Sequence, residues 1–247
     1  MDSTERDLLI RDKYNGDNTV DLSEDLARLS RGEPPAYVIG WIPFLGLRID
    51  LDSRPLIPRP ETEWWTEVLH ARLAERFADK SFRFLDLCAG SGAIGLSVLH
   101  AFPAAHVSFG ELVPEHVAQI KKNLERNGLD TSRASIQESD LFAAFAGEAF
   151  DVIATNPPYV PDGRVLDASV TEFEPSSALY AGSDGLSLVK TIVAEAPRHI
   201  LPGAEIWIEC DIKNAEEAVA LLEETGAHAE MRTDLYGRPR IAVGYYA

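Results

Sequence analysis

From Phe82 onward, short apolar runs alternate with amphipathic stretches, and that alternation leaves few folds open. Phe82–Leu87 predicts a strand and Ala93–Ala101 a helix. His106–Glu111 predicts a second strand, followed by a helix over Pro114–Asn127 that Gly128 closes. Ala134–Gln137 reads as a weak strand and Phe150–Thr155 as a strong one. A helix over Gly185–Ile200, a strand over Glu205–Cys210 and a helix over Ala215–Thr225 come next. Ala227–Arg232 and Arg240–Tyr245 read as a closing antiparallel pair. This order implies an α/β fold with a mostly parallel sheet and helices on both faces. In such sheets ligands bind beyond the carboxyl ends of the strands, where the strand order reverses. Residues that carry chemistry are therefore expected just after strands.

The segment before Phe82 has a different grain. Residues 1–33 are polar, with a short helical pattern at Leu22, Leu26 and Leu29, and are expected to form a short helical extension. Residues 34–60 hold Pro34, Pro35, Pro43, Pro55, Pro58 and Pro60, and predict an extended or hairpin-like lead-in that ends in a rigid turn. The main domain is expected over 61–247. It opens on a helix with Trp65, Val68, Leu69, Leu73 and Phe77 on one face and Glu61 and Glu63 in the first turn.

Composition removes several classes. A hydrophobic content of 45% excludes disorder of the whole chain. No window approaches about 18 uninterrupted apolar residues, so no membrane-spanning helix is expected. Met1–Arg11 has no apolar core of the signal-peptide kind, so a cytoplasmic protein is expected. Cys88 and Cys210 are the two cysteines, too few for a disulfide framework. The six histidines are scattered, and no metal site is expected. Lys plus Arg number 23 against 40 Asp plus Glu, a net −17 that opposes nucleic acid as a direct partner.

The run after the first strand is Asp86-Leu87-Cys88-Ala89-Gly90-Ser91-Gly92-Ala93-Ile94-Gly95. Glycines at 90 and 92 let backbone approach a ligand and open a helix N-terminus. With Gly95 they spell a pattern that suits NAD or S-adenosyl-L-methionine. Asp86 separates the two, because a carboxylate beside the turn repels a pyrophosphate but suits the amino group of a methionine moiety. Glu111 ends the next strand about 20 residues on, where an acid accepts both ribose hydroxyls. Asp140 is placed to accept from an adenine amino group, with Leu141 as an apolar edge for the ring. Cys88, Ala89 and Ser91 complete the turn. Cys88 reads as a backbone contact and not a nucleophile, since no base stands near it in sequence.

After strand Phe150–Thr155 comes Asn156-Pro157-Pro158-Tyr159. The prolines stiffen the turn, and Pro157 keeps a carbonyl acceptor. The Asn156 side-chain oxygen is a second acceptor, so the two can hold both hydrogens of an NH2 group and direct its nitrogen at a methyl donor. Tyr159 is placed to stack on the flat group behind it. Glutamine, adenine, cytosine and guanine all present such a group.

Beyond these two sites, Gly32–Gly40, Leu56–Glu63, Asn156–Tyr159, Glu172–Pro175, Gly182–Leu186 and Asp234–Arg240 resemble the protein glutamine-N5 methyltransferases, a family that includes the enzymes acting on the Gly-Gly-Gln loop of peptide chain release factors. The resemblance covers about residues 27–247. It implies a Rossmann-like class I S-adenosylmethionine-dependent methyltransferase fold, a seven-stranded sheet with an antiparallel final strand, and a small N-terminal extension. It further implies that Asn156, Pro157, Pro158 and Tyr159 bind the glutamine amide, with Asn156 also at the cofactor, and that Cys88–Gly92, Glu111 and Leu141 line the cofactor. It suggests Pro58–Glu61 and Glu172–Pro175, Arg59 and Glu174 among them, as walls of the substrate pocket. Glu111 stands where the family usually has Asp, Cys88 where it often has Gly, and the region before Gly32 is shorter than the family's helical N-terminal domain.

Overall fold

The computed structural model describes residues 3–247. Helix α1 (Ser3–Leu8), which widens into a π-turn over Leu9–Lys13, and α2 (Ser23–Ser30) precede α3 (Pro35–Ile39). Leu9, Leu22 and Val38 give these turns a small core of their own. A helix at Pro35–Ile39 replaces the extended chain expected there. Proline fits the first helical turn, where no donor is needed, and Gly40 ends the helix at φ 93°. Strands β1 (Trp41–Phe44) and β2 (Leu47–Asp50) then form an antiparallel hairpin closed by Leu45 and Gly46, both at positive φ, as a two-residue hairpin turn requires.

The sheet is built from β3 (Phe82–Leu87), β4 (Ala105–Glu111), β5 (Ala134–Glu138), β6 (Phe150–Thr155), β7 (Ile200–Glu209), β8 (His228–Thr233) and β9 (Pro239–Tyr245). Its spatial order is β5-β4-β3-β6-β7-β9-β8, with β9 antiparallel to both neighbours. The chain winds outward from β3 to β5 and returns to β6, so the order reverses between β3 and β6. Helices α4 (Pro60–Phe77), α5 (Ala93–Ala101) and α6 (Pro114–Arg126) cover one face. The short α7 (Ala168–Thr171) lies in the loop after β6, and α8 (Ser187–Glu195) and α9 (Ala215–Glu224) cover the other face. Alternation along β3 sends Phe82 and Phe84 into the first layer and Leu85 and Leu87 into the second. The helix expected over 185–200 stops at Glu195, because Pro197 forms a short 3-10 turn and Ile200 already begins β7.

Asn123 of α6 and Asn127, which caps that helix, fasten the hairpin to the domain. Asn127 accepts from Arg48 N–H at 3.0 Å, and Asn123 accepts from Asp50 N–H at 2.9 Å. Asn123 also donates to the carbonyl of Ser91 at 3.0 Å, so one fully buried side chain joins the hairpin to the glycine turn.

Candidate active site

A cleft opens at the carboxyl ends of β3, β4 and β6, with about 980 Å³ of empty space counting the part open to solvent. Its wall includes Cys88, Ala89, Gly90, Ser91, Glu111, Asp140, Leu141, Asn156 and Pro158, brought together from the ends of four strands. The glycine turn is left-handed at Cys88 (φ 58°), Gly90 (φ 55°) and Gly92 (φ 81°). A Cβ on Gly90 would meet nothing within 4 Å, so this residue leaves the turn open to a ligand. The other two glycines pack: a Cβ on Gly92 would press on Ile120 at 3.0 Å, and one on Gly95 would strike the Phe109 ring at 2.4 Å. Burial pushes the Cys88 thiol up to about 12, which keeps it protonated and unreactive.

The three acids occupy different depths. Glu111 accepts from Gly90 N–H at 2.7 Å and from Val113 N–H at 2.9 Å, and so pins the turn to the end of β4. Each of its oxygens keeps a second lone pair for a hydroxyl. Asp86 lies beneath the turn, 1% exposed, with Oδ2 accepting from Gly95 N–H at 2.8 Å. Its Oδ1 is buried without a partner, and burial, with the Glu111 charge adding, pushes the carboxyl up to about 8. Asp140 is exposed at the rim. Leu141 beside it takes φ 47°, its carbonyl accepting from Ser139 Oγ at 2.6 Å.

Across the cleft, Asn156 Nδ2 donates to Thr62 Oγ1 at 3.2 Å, while its Oδ1 is buried with no partner. Among the described residues no donor reaches the Pro157 carbonyl. Pro157 and Tyr159 stand behind the wall. The Tyr159 hydroxyl donates to Glu209 Oε1 at 3.0 Å, and burial, reinforced by the Glu209 charge, raises it well above the usual phenol range. Arg59 and Glu174 lie outside the cleft and line a separate hollow with Glu33, Pro34 and Pro35. They pair with each other at 2.6 Å, and Glu174 also accepts from Ile57 N–H at 3.1 Å. Their contacts brace the segment from which Leu56 and Pro58 reach the cleft.

Sequence reasoning missed Leu56, Thr62, Leu112 and His116 as cleft residues, and Glu209 behind them. Thr62 lies inside the Leu56–Glu63 segment, where no role was expected of it. The signal for Glu209 was an acid closing the apolar run Ile206–Ile208 at the carboxyl edge of the sheet. Among the described residues, no group of three or more His, Cys, Asp or Glu could hold a metal ion, and no helix is long and apolar enough to cross a membrane.

Residues 64–234 match the family described as the methyltransferase small domain. The release factor glutamine methyltransferase of Deinococcus radiodurans is 37% identical over 219 residues, covering 88% of this chain and 76% of the relative. That of Bordetella pertussis is 38% identical over 223 residues, covering 89% and 80%. A methyltransferase crystal structure from Pyrococcus furiosus shares the fold, with a TM-score of 0.59 at 16% identity over 90% of this chain and 98% of that one. The sheet order, the paired strand-end motifs and these relatives agree: the chain belongs to the release factor glutamine methyltransferase family.

Proposed function

We propose that this protein transfers a methyl group from S-adenosyl-L-methionine to the side-chain amide nitrogen of the glutamine in the Gly-Gly-Gln loop of a peptide chain release factor, in the cytoplasm. The observation that carries the reading is the buried, unpartnered Oδ1 of Asn156 on the wall of a cleft whose opposite side is the glycine turn. The turn side suits the cofactor: Gly90 leaves room where any other residue would place a Cβ, and Glu111 on the cleft wall keeps a lone pair on each oxygen for a hydroxyl. Cys88–Gly92, Glu111, Asp140 and Leu141 would hold it. When bound, S-adenosyl-L-methionine supplies a methyl group activated by a sulfonium.

The chain's own residues do the rest. Asn156 Oδ1 on the cleft wall accepts one hydrogen of the substrate amide and so aims its nitrogen, and the Pro157 carbonyl behind it, which no donor among the described residues reaches, is the acceptor left for the second hydrogen. That nitrogen is a poor nucleophile, because its lone pair is delocalised. Orientation can supply about 7–11 kcal/mol of such a barrier, and fixed acceptors stabilise positive charge developing on the NH2 group. Leu56, Pro58 and Ile94 give the cleft apolar walls that displace water.

The test is turnover with labelled cofactor and a release factor, followed by mass mapping of the methylated residue. Label is expected on the loop glutamine and lost when it is changed to alanine. Asn156→Ala should abolish turnover while cofactor affinity falls less. Label surviving the Gln→Ala change would overturn the loop glutamine as the acceptor, and strongly salt-dependent binding to RNA or DNA would favour a nucleic-acid base instead.

A further inference from the structure

The Asn156 carboxamide can face the cleft with either its oxygen or its NH2, and only the oxygen can accept from a substrate amide. What settles the choice lies one and two side chains away. On β7, alternation places Glu205, Trp207 and Glu209 toward α4, which crosses above. Glu209 is fully buried and takes three donors: Thr62 Oγ1 at 2.7 Å and Trp65 Nε1 at 2.7 Å, both on Oε2, and the Tyr159 hydroxyl at 3.0 Å on Oε1. Indole nitrogen can only donate, so Oε2 is held as an acceptor, and the Thr62 hydroxyl spends its one proton there. Toward Asn156 the Thr62 oxygen has only lone pairs to offer. Asn156 must therefore present Nδ2 to Thr62, as it does at 3.2 Å, and Oδ1 to the cleft.

We propose that Thr62 and Glu209 are positioning residues that set the direction of the Asn156 amide, through the one-way chain Asn156 Nδ2 to Thr62 to Glu209. The chain rests on the reading of Asn156 as the acceptor of the substrate amide. Its consequence is discrimination within a single functional group. With Oδ1 forward, a carboxamide enters by its NH2 end, whereas a flipped Asn156 would bind the carbonyl end and hold the nitrogen away from the methyl donor. Such a reversed complex forms but does not react, so losing the chain should lower kcat far more than it raises KM.

The experiment measures cofactor Kd, kcat and KM for the purified full chain with S-adenosylmethionine and a release factor. Thr62→Val is expected to lower kcat at least tenfold, with cofactor Kd within about threefold and KM little changed. Thr62→Ser keeps the hydroxyl and should restore kcat to within about threefold of the parent. Glu209→Gln should also stay active, because Trp65 would still hold the carboxamide oxygen on its side and leave the Gln NH2 to Tyr159. An unchanged kcat in Thr62→Val overturns the proposal. So does a tenfold loss in Thr62→Ser or Glu209→Gln with cofactor binding intact. If Thr62→Val no longer binds cofactor, Thr62→Ala takes its place under the same criteria. Asn156→Ala separates the two levels: full turnover there refutes the acceptor reading itself, whereas an inactive Asn156→Ala beside a fully active Thr62→Val refutes only the chain.

Discussion

Gly90, Gly92 and Gly95 form one sequence pattern but answer to two physical demands. Gly90 faces open space, while Gly92 and Gly95 are pressed against side chains of α6 and β4. Gly95 lies inside α5, where glycine costs stability unless a close approach requires it. The approach is real: a methyl group there would sit 2.4 Å from the Phe109 ring and 3.0 Å from Asp86 Cβ. Gly95→Ala is therefore expected to destabilise the fold by about 1–3 kcal/mol. Urea unfolding checks it, and because Gly95 N–H also holds Asp86, weaker cofactor binding should accompany the loss. A variant as stable as the parent would show that α5 can lift away at no cost. Cys88 and Asp86 make a related point. Both stood in the sequence beside the turn, but burial raises the thiol and the carboxyl alike and leaves one Asp86 oxygen without a partner, and depth is not written in spacing.

Helices α4 and α5 meet through His70, whose Nε2 lies 3.1 Å from Ser97 Oγ and whose ring sits edge-on to Phe102 at 5.4 Å between centroids. Burial, with a smaller push from the His100 charge, lowers this imidazole from 6.5 to about 4. The folded protein thus refuses a proton that the unfolded chain accepts. Its share of stability is whole above pH 6.5 and is lost as the pH falls from there toward about 4. Replacing His70 by Gln should shrink the drop in urea midpoint between about pH 7 and about pH 4.5. An equal drop in both proteins would place the acid sensitivity elsewhere. Helix α4 was legible over most of its length, since Trp65, Leu69, Leu73 and Phe77 are the buried stripe its period implied. The helix at Pro35–Ile39 was not. Six prolines within 34–60 mask one another, and only the tertiary setting decides which of them starts a turn.

At the scale of the whole molecule, the cleft joins the glycine turn after β3 to the unsatisfied Asn156 oxygen in the loop after β6, so cofactor binding should be felt as global stability. At a cofactor concentration about 100 times Kd the gain is about 2.7 kcal/mol, which for a chain of this size raises Tm by about 5–10 °C. A thermal scan with and without S-adenosylmethionine measures it, and no shift at saturation would contradict the assignment of the glycine turn. The order of strands and helices after Phe82 and the two strand-end motifs were readable from the chain alone, because they depend on local periodicity and on residue types at short spacing, whereas the place of the sheet's reversal came only from the strand pairing. Arg59 and Glu174 were readable as charges but not as partners of each other, being 115 positions apart. The link from Asn156 through Thr62 to Glu209 was unreadable for the same reason, spanning separations of 94 and 147. Hydrogen-bond direction belongs to groups that meet only after α4 has packed across β7, and no property of any one segment records that meeting.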